Sequence, residues 1–339
     1  MRNLLLQQCN QTSKNINPQA IACAKLINLQ MKKIIQTCLL LATISSFSQT
    51  EIDGVMMAKG YLCSGIVYEH SSWTQYWEGT FKRENLNLGV VSTNRTAVNF
   101  NYGISSKLNA IVSLPFVSTK ATVGTLIGQQ GLQDLSMTLK YMPVEINFGN
   151  KTFACYVFGG YSIPVTDYVA DYLPLSIGLK SRVATVRAMA DFQWKNVFAT
   201  TSIAYNKRSN IEIDRNTYYT TRMHYTNLVD MPDAINLNAR LGYRTQWLIA
   251  EAVLDTWNTL GETFDITTNN MPFPSNTMNM TRLGINIKYT FKKMPELALI
   301  GGGNYVTSGR NVGQSTAVYG GIFYLIKIKK DKKSAKSQS

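Results

Sequence analysis

Asn236-Leu237-Asn238-Ala239-Arg240-Leu241-Gly242-Tyr243-Arg244-Thr245-Gln246-Trp247-Leu248-Ile249-Ala250-Glu251-Ala252-Val253-Leu254-Asp255-Thr256-Trp257-Asn258 reads as two strands with almost no loop between them. On the way in, Leu237, Ala239, Leu241 and Tyr243 share one face, and Asn236, Asn238, Arg240, Gly242 and Arg244 the other. After Thr245-Gln246 the parity swaps, so that Leu248, Ala250, Ala252 and Leu254 carry the apolar face and Glu251 and Asp255 the polar one. An antiparallel partner requires that swap. With Thr245-Gln246 as a two-residue turn, Arg244 falls opposite Trp247, Leu241 opposite Ala250 and Arg240 opposite Glu251, with Arg244 and Asp255 toward the two ends. A helix would scatter apolar residues of period two around its circumference. Strand pairs of about ten residues, apolar on one side and charged on the other, are the repeating unit of a transmembrane β-barrel.

The same alternation recurs along the chain. It predicts about twelve strands, at 60–69, 94–103, 108–118, 134–143, 152–163, 183–194, 197–208, 236–246, 248–257, 280–292, 296–305 and 316–326. Fourteen result if a long loop hides a hairpin. Connections alternate between short ones, such as Lys195-Asn196, and long ones rich in Asn, Thr, Gly and Tyr, such as 209–235. That asymmetry is the outer-membrane pattern, with short turns in the periplasm, and an even count returns both termini there. Tyr102, Tyr141, Trp194, Tyr243, Phe291 and Phe323 come near the short turns on or beside the apolar face, where an interfacial girdle belongs. The fold class is therefore all-β, a transmembrane antiparallel up-and-down barrel. A soluble barrel with its apolar side inward is the competing architecture; strand number, loop asymmetry and the scattered charges Arg187, Arg240, Glu251 and Arg282 oppose it.

Ahead of the strands, Met31-Lys32-Lys33, the apolar run Ile34 to Ile44 and Ser45-Ser46-Phe47-Ser48 form a signal peptide cleaved after Ser48, behind an upstream extension 1–30. The expected organisation is 1–48 removed, 49–59 a periplasmic N-terminal segment, 60–326 the barrel and 327–339 a basic tail. The net charge of +14 comes from 34 basic and 20 acidic residues; the five basic residues of 1–48 leave with the presequence, so 29 against 20 gives +9. Six lysines against Asp331 in the tail account for +5 of that, and the body is close to balanced. A basic pI here gives little support for nucleic-acid binding. Cys63 and Cys155 remain in the mature chain without a pairing or metal-ligand pattern, and no cofactor is expected.

Tyr102-Gly103-Ile104-Ser105-Ser106-Lys107-Leu108-Asn109, Leu114-Pro115-Phe116-Val117 and Gly131-Leu132-Gln133-Asp134-Leu135-Ser136 carry a family resemblance. Over residues 95–145 the chain resembles the outer-membrane transporters labelled for a meta-pathway of phenol degradation, which are distantly similar to long-chain fatty-acid channels. The resemblance implies passage of small, often hydrophobic or aromatic molecules. One departure is the C-terminus, where such barrels end on an aromatic residue and this chain continues past Phe323-Tyr324 into the lysine tail.

Charged side chains on the strands nominate the site: Asp134, Lys140, Arg187, Asp191, Arg240, Arg244, Glu251, Asp255, Arg282 and Lys288. An Arg or Lys facing lipid near the midplane costs about 2–4 kcal/mol, so these groups belong in the lumen. There they either neutralise one another across strands or form a selective constriction. Trp73, Tyr76 and Trp77 in the first long loop form a candidate ligand platform at the mouth, or a packed lid. The only histidines, His70 and His224, fall in expected outer loops without a hydrolase spacing, so a lipase or protease is the weaker alternative and no enzyme is expected. The expected partners are outer-membrane lipid and lipopolysaccharide, a small-molecule solute and the barrel assembly machinery, and no nucleic acid. A non-transporting structural or surface-binding barrel is the other alternative.

Overall fold

The computed structural model describes residues 53–267 and 271–328. The expected signal peptide, the extension ahead of it and the tail from 329 onward lie outside the described residues. Among the described residues, twelve long strands form the body. They are β1 Tyr61–Trp73, β2 Val91–Ser105, β3 Leu108–Ala121, β4 Asp134–Phe148, β5 Lys151–Pro164, β6 Val183–Trp194, β7 Val197–Arg208, β8 Ala234–Arg244, β9 Leu248–Thr259, β10 Asn279–Phe291, β11 Met294–Arg310 and β12 Thr316–Lys327. Each pairs antiparallel with its neighbours in chain order. β1 also takes β12 as a partner, with Tyr61 opposite Lys327 on one side and Leu62 opposite Tyr102 of β2 on the other, so the sheet closes and no edge is left.

Burial follows the alternation residue by residue. In β7, Phe198, Thr200, Ser202, Ala204, Asn206 and Arg208 are buried, and Val197, Ile203 and Tyr205 between them are exposed. Lys140 is wholly buried, whereas Leu241 and Val318 are 61% and 64% exposed. Apolar side chains outside and charged ones inside reverse the pattern of a water-soluble barrel and match one whose outer solvent is lipid. Cys63 and Cys155 belong to opposite faces of the wall.

The hairpin between β8 and β9 departs from its expected register. Arg244 pairs with Ile249, Gly242 with Glu251 and Arg240 with Val253, a slip of two residues from a two-residue turn. Such a turn needs residues that accept positive φ, which Thr245-Gln246 are poorly suited to supply. Instead the Thr245 hydroxyl accepts from the Leu248 amide at 3.0 Å, and the Thr245 amide donates to the Leu248 carbonyl at 2.8 Å, closing a wider turn. A slip of two preserves the parity, so the charged face stays inside.

Loops at the opposite end hold small hairpins of their own, Gln75–Glu78 with Phe81–Glu84 and, between β7 and β8, Tyr218–Tyr219 with Met223–His224. These do not join the barrel, and the wall keeps twelve strands rather than fourteen. Near the short turns Tyr141, Trp194 and Tyr243 are exposed as expected of a girdle. Phe323 corrects that expectation: it is buried inside the barrel with Met57, Cys63, Ala298 and Leu325, and its neighbour Tyr324 faces out.

Candidate functional site: the barrel interior

Strand register stacks the interior charges in levels. Nearest the short turns, Arg244 of β8 reaches past β7 to Asp191 of β6, with guanidinium-to-carboxylate distances of 3.0 and 3.1 Å. The Arg244 guanidinium lies 3.9 Å from the centroid of the Phe198 ring, and Thr200 donates to the same carboxylate. Asp255 is not its partner. Midway, Arg240 and Glu251 form a buried ion pair, supported by Arg240 Nε donating to Asn238 at 2.9 Å and Asn286 donating to Glu251 at 2.8 Å. Toward the long loops, Asp255 accepts from Arg282 at 2.9 Å and from Asn236 and Asn238 at 3.0 and 2.9 Å. Arg187 bonds Ser202 and Asn236 at that level. Asp191 excepted, these charged groups border one interior cavity of about 560 Å³, and Lys288 is buried in its lining.

Two of the ten nominated charges stand apart. Asp134 lies at the long-loop end of β4, where it accepts from the Tyr168 hydroxyl at 2.7 Å. Lys140 is engaged with the chain's own N-terminal segment. Its ammonium donates to the Asp53 and Val55 carbonyls, both at 2.7 Å, and to the Asp53 carboxylate at 3.2 Å, over the rings of Tyr156 and Phe158. The Tyr156 hydroxyl holds the Gly54 carbonyl at 2.8 Å. Met56 packs on Met142, Tyr156, Phe158 and Met189, and Met57 on Phe323 and Leu325.

Residues 53–57 therefore run inside the barrel, correcting the expectation of a periplasmic segment there. A wholly buried ammonium needs acceptors, and backbone carbonyls inside the wall provide them. Gly103 is the passage point: a Cβ there would fall 2.1 Å from the Ala58 carbonyl oxygen, so only glycine lets the segment by. Nothing local in the sequence of residues 53–57 marks them as a lumen element. Glu69 and Arg95 also line the cavity and face each other directly across β1 and β2. Their signal was present, since Arg95 shares parity with Asn99 and Asn101.

At the mouth, Trp73 and Tyr76 lie 6.2 Å apart between ring centroids and line an apolar cavity of about 220 Å³ with Leu88, Leu173, Pro174 and Val312. Trp77 departs from the platform reading. It is buried beneath Gly309, where a Cβ would come within 2.7 Å of its ring. His70 stands on β1 rather than in a loop and bonds Asn94 at 2.8 Å. His224 stacks on Tyr218 and bonds Thr220, while Asp230 accepts from Asn210.

No protein-family model and no curated protein matches this sequence. Among solved structures, the crystal structure of an outer membrane channel from Pseudomonas putida F1 is similar with a TM-score of 0.64 at 13% identity, covering 83% of this chain and all of that one. The translocator domain of the autotransporter NalP from Neisseria meningitidis aligns at a TM-score of 0.42 and 10% identity over 91% of this chain and 99% of that one. The CymD monoaromatic hydrocarbon channel aligns at 0.37 and 11% over 81% and 90%. At such identities the likeness concerns fold alone, and only the first is close enough in shape to carry it. The chain has the fold of a twelve-stranded outer-membrane β-barrel.

Proposed function

We propose that the protein is an outer-membrane channel for passive passage of small solutes, hydrophobic or aromatic ones among them, with both termini on the periplasmic side. The observation that carries this reading is the cavity of about 560 Å³ inside a closed wall, lined by six basic and four acidic side chains. An apolar exterior supplies the membrane setting, with lipid and lipopolysaccharide as its surroundings and the barrel assembly machinery as its route of insertion. The family resemblance of residues 95–145 supports small hydrophobic solutes, and so does the Trp73–Tyr76 cavity at the mouth. The similar barrel from Pseudomonas putida is itself described as a channel.

A second reading is a non-conducting structural or surface-binding barrel, and the segment 53–57 inside the lumen favours it. Planar-bilayer conductance and liposome swelling on refolded mature protein separate the two. Discrete channels and solute-dependent swelling are expected; folded barrels without flux of any solute would leave the structural reading standing.

A further inference from the structure

At the loop-side level of the interior, Arg282 meets the Asp255 carboxylate directly and Arg187 is tied to it through Asn236. Arg187 donates to Asn236 Oδ1 at 3.5 Å, Asn236 donates to Asp255 Oδ1 at 3.0 Å, and Arg282 donates to Asp255 Oδ2 at 2.9 Å. Asn236 thus sits between two guanidinium groups. Arg208 lies 5.2 Å from the ring centroid of Trp257, which follows Asp255 by two residues on the same face of β9 and lines the cavity.

At this level the two partners of the ion pair differ in exposure. The Arg282 side chain is 41% open while that of its partner Asp255 is 8% open. Glu251 and Asp191, deeper in, are as closed as Asp255. Asp255 is folded into the wall under amide and guanidinium donors, and beside it the half-buried Arg187 and Arg282 border the cavity. Six basic and four acidic side chains line the cavity, and adding Asp191, tied to Arg244, still leaves a positive balance. The volume lies in the range of about 300–1,000 Å³ usual for small-molecule sites. Low-dielectric walls focus such a field, and a guanidinium fork matches a planar carboxylate.

We propose that this level is a binding site for a small organic anion, whose carboxylate is taken by Arg187 and Arg282 and whose apolar, ring-bearing body lies against Trp257. The inference rests on the channel reading of the same lumen and adds its solute class: the barrel selects anions, and arene carboxylates among them.

The test uses the refolded mature chain in planar bilayers, with sodium benzoate as probe and phenol as its uncharged counterpart. In a potassium chloride gradient the reversal potential takes the sign of chloride permeation. Benzoate lowers the chloride current in a saturable manner and phenol at equal concentration does not. Arg187→Gln and Arg282→Gln each raise the half-blocking benzoate concentration about tenfold, the loss expected of one charge-assisted hydrogen bond. Potassium selectivity, equal effects of benzoate and phenol, or unchanged block in variants that run as folded barrels on heat-dependent gels would each overturn the proposal. If a variant does not fold, the wild-type comparison of benzoate with phenol decides. A folded wild type that conducts nothing sinks the channel reading instead; benzoate quenching of tryptophan emission, weakened in Arg282→Gln, then supports the site by itself, and absence of quenching overturns it.

Discussion

Arg240 and Glu251 are joined across a diagonal of the barrel wall, because the residue directly opposite Glu251 is Gly242. The missing side chain at 242 leaves the room through which the guanidinium two residues away reaches the carboxylate. With side chains 7% and 3% exposed, the pair lies in the desolvated regime, although it borders a cavity. The energetic consequence differs from that of an ion pair in a wide aqueous pore.

Arg240→Ala should destabilise the barrel by about 3 kcal/mol or more, since it removes the cation from a buried carboxylate and leaves it the hydrogen bond from Asn286. Glu251→Gln keeps a hydrogen-bonding group and should cost less. Urea titrations followed by heat-dependent gel mobility measure both. A loss below about 1 kcal/mol for Arg240→Ala would show that water reaches the pair freely.

Gly242→Ala is expected to be harmful out of proportion to its size. An added Cβ would fall 2.3 Å from the Ala250 carbonyl oxygen and 2.8 Å from Glu251 Cβ, so the β8–β9 ladder must shift. A cost of about 1–3 kcal/mol follows from overpacking, read in the same titration. Wild-type stability in this variant would mean that the ladder has slack at Gly242.

Lys140→Met should release residues 53–57 from the lumen. It removes three donated bonds and leaves the carbonyls of Asp53 and Val55 without that donor, weakening the docking by about 3 kcal/mol. Single-channel conductance should rise, and the N-terminal segment should become open to protease. Unchanged conductance in a folded variant would show that the segment does not obstruct the pathway.

In the loop between β9 and β10, Asp265 is held by Arg310 at 2.7 Å through both oxygens and by Asn311, and the Arg310 hydrogen bond first, then Asn311, lowers its pKa from 3.8. A carboxylate with a depressed folded pKa contributes stability above its unfolded pKa and loses it as pH falls through the folded value. Loop proteolysis should therefore increase only below about pH 4, and modestly, since the pair is partly exposed. Asp265→Asn should show the loosened loop at neutral pH; a wild-type cleavage profile in that variant would remove the pair from the account.

Much of the architecture is local information. Alternation in segments such as Ala184 to Trp194 and Leu283 to Phe291 depends only on the two-residue period of a strand, and it located the twelve strands and the face on which each charge lies. Parity also survives errors of register. The slip of two at Thr245-Gln246 moved Arg240 from Glu251 to Val253 yet kept both charges in the interior, where the diagonal pair still forms.

Partners across the lumen were a different matter. Arg244 finds Asp191 two strands away, Lys140 finds the carbonyls of residues nearly ninety positions earlier, and Phe323 turns inward onto Met57. The sequence by itself determined that the chain forms strands, that their charged face is shared and that the other face is apolar, because each follows from residue type and spacing along one strand. Only the closed barrel decided which charges meet and that the N-terminal segment lies among them. Those contacts depend on register summed around twelve strands and on the space left inside, to which no single stretch of sequence has access.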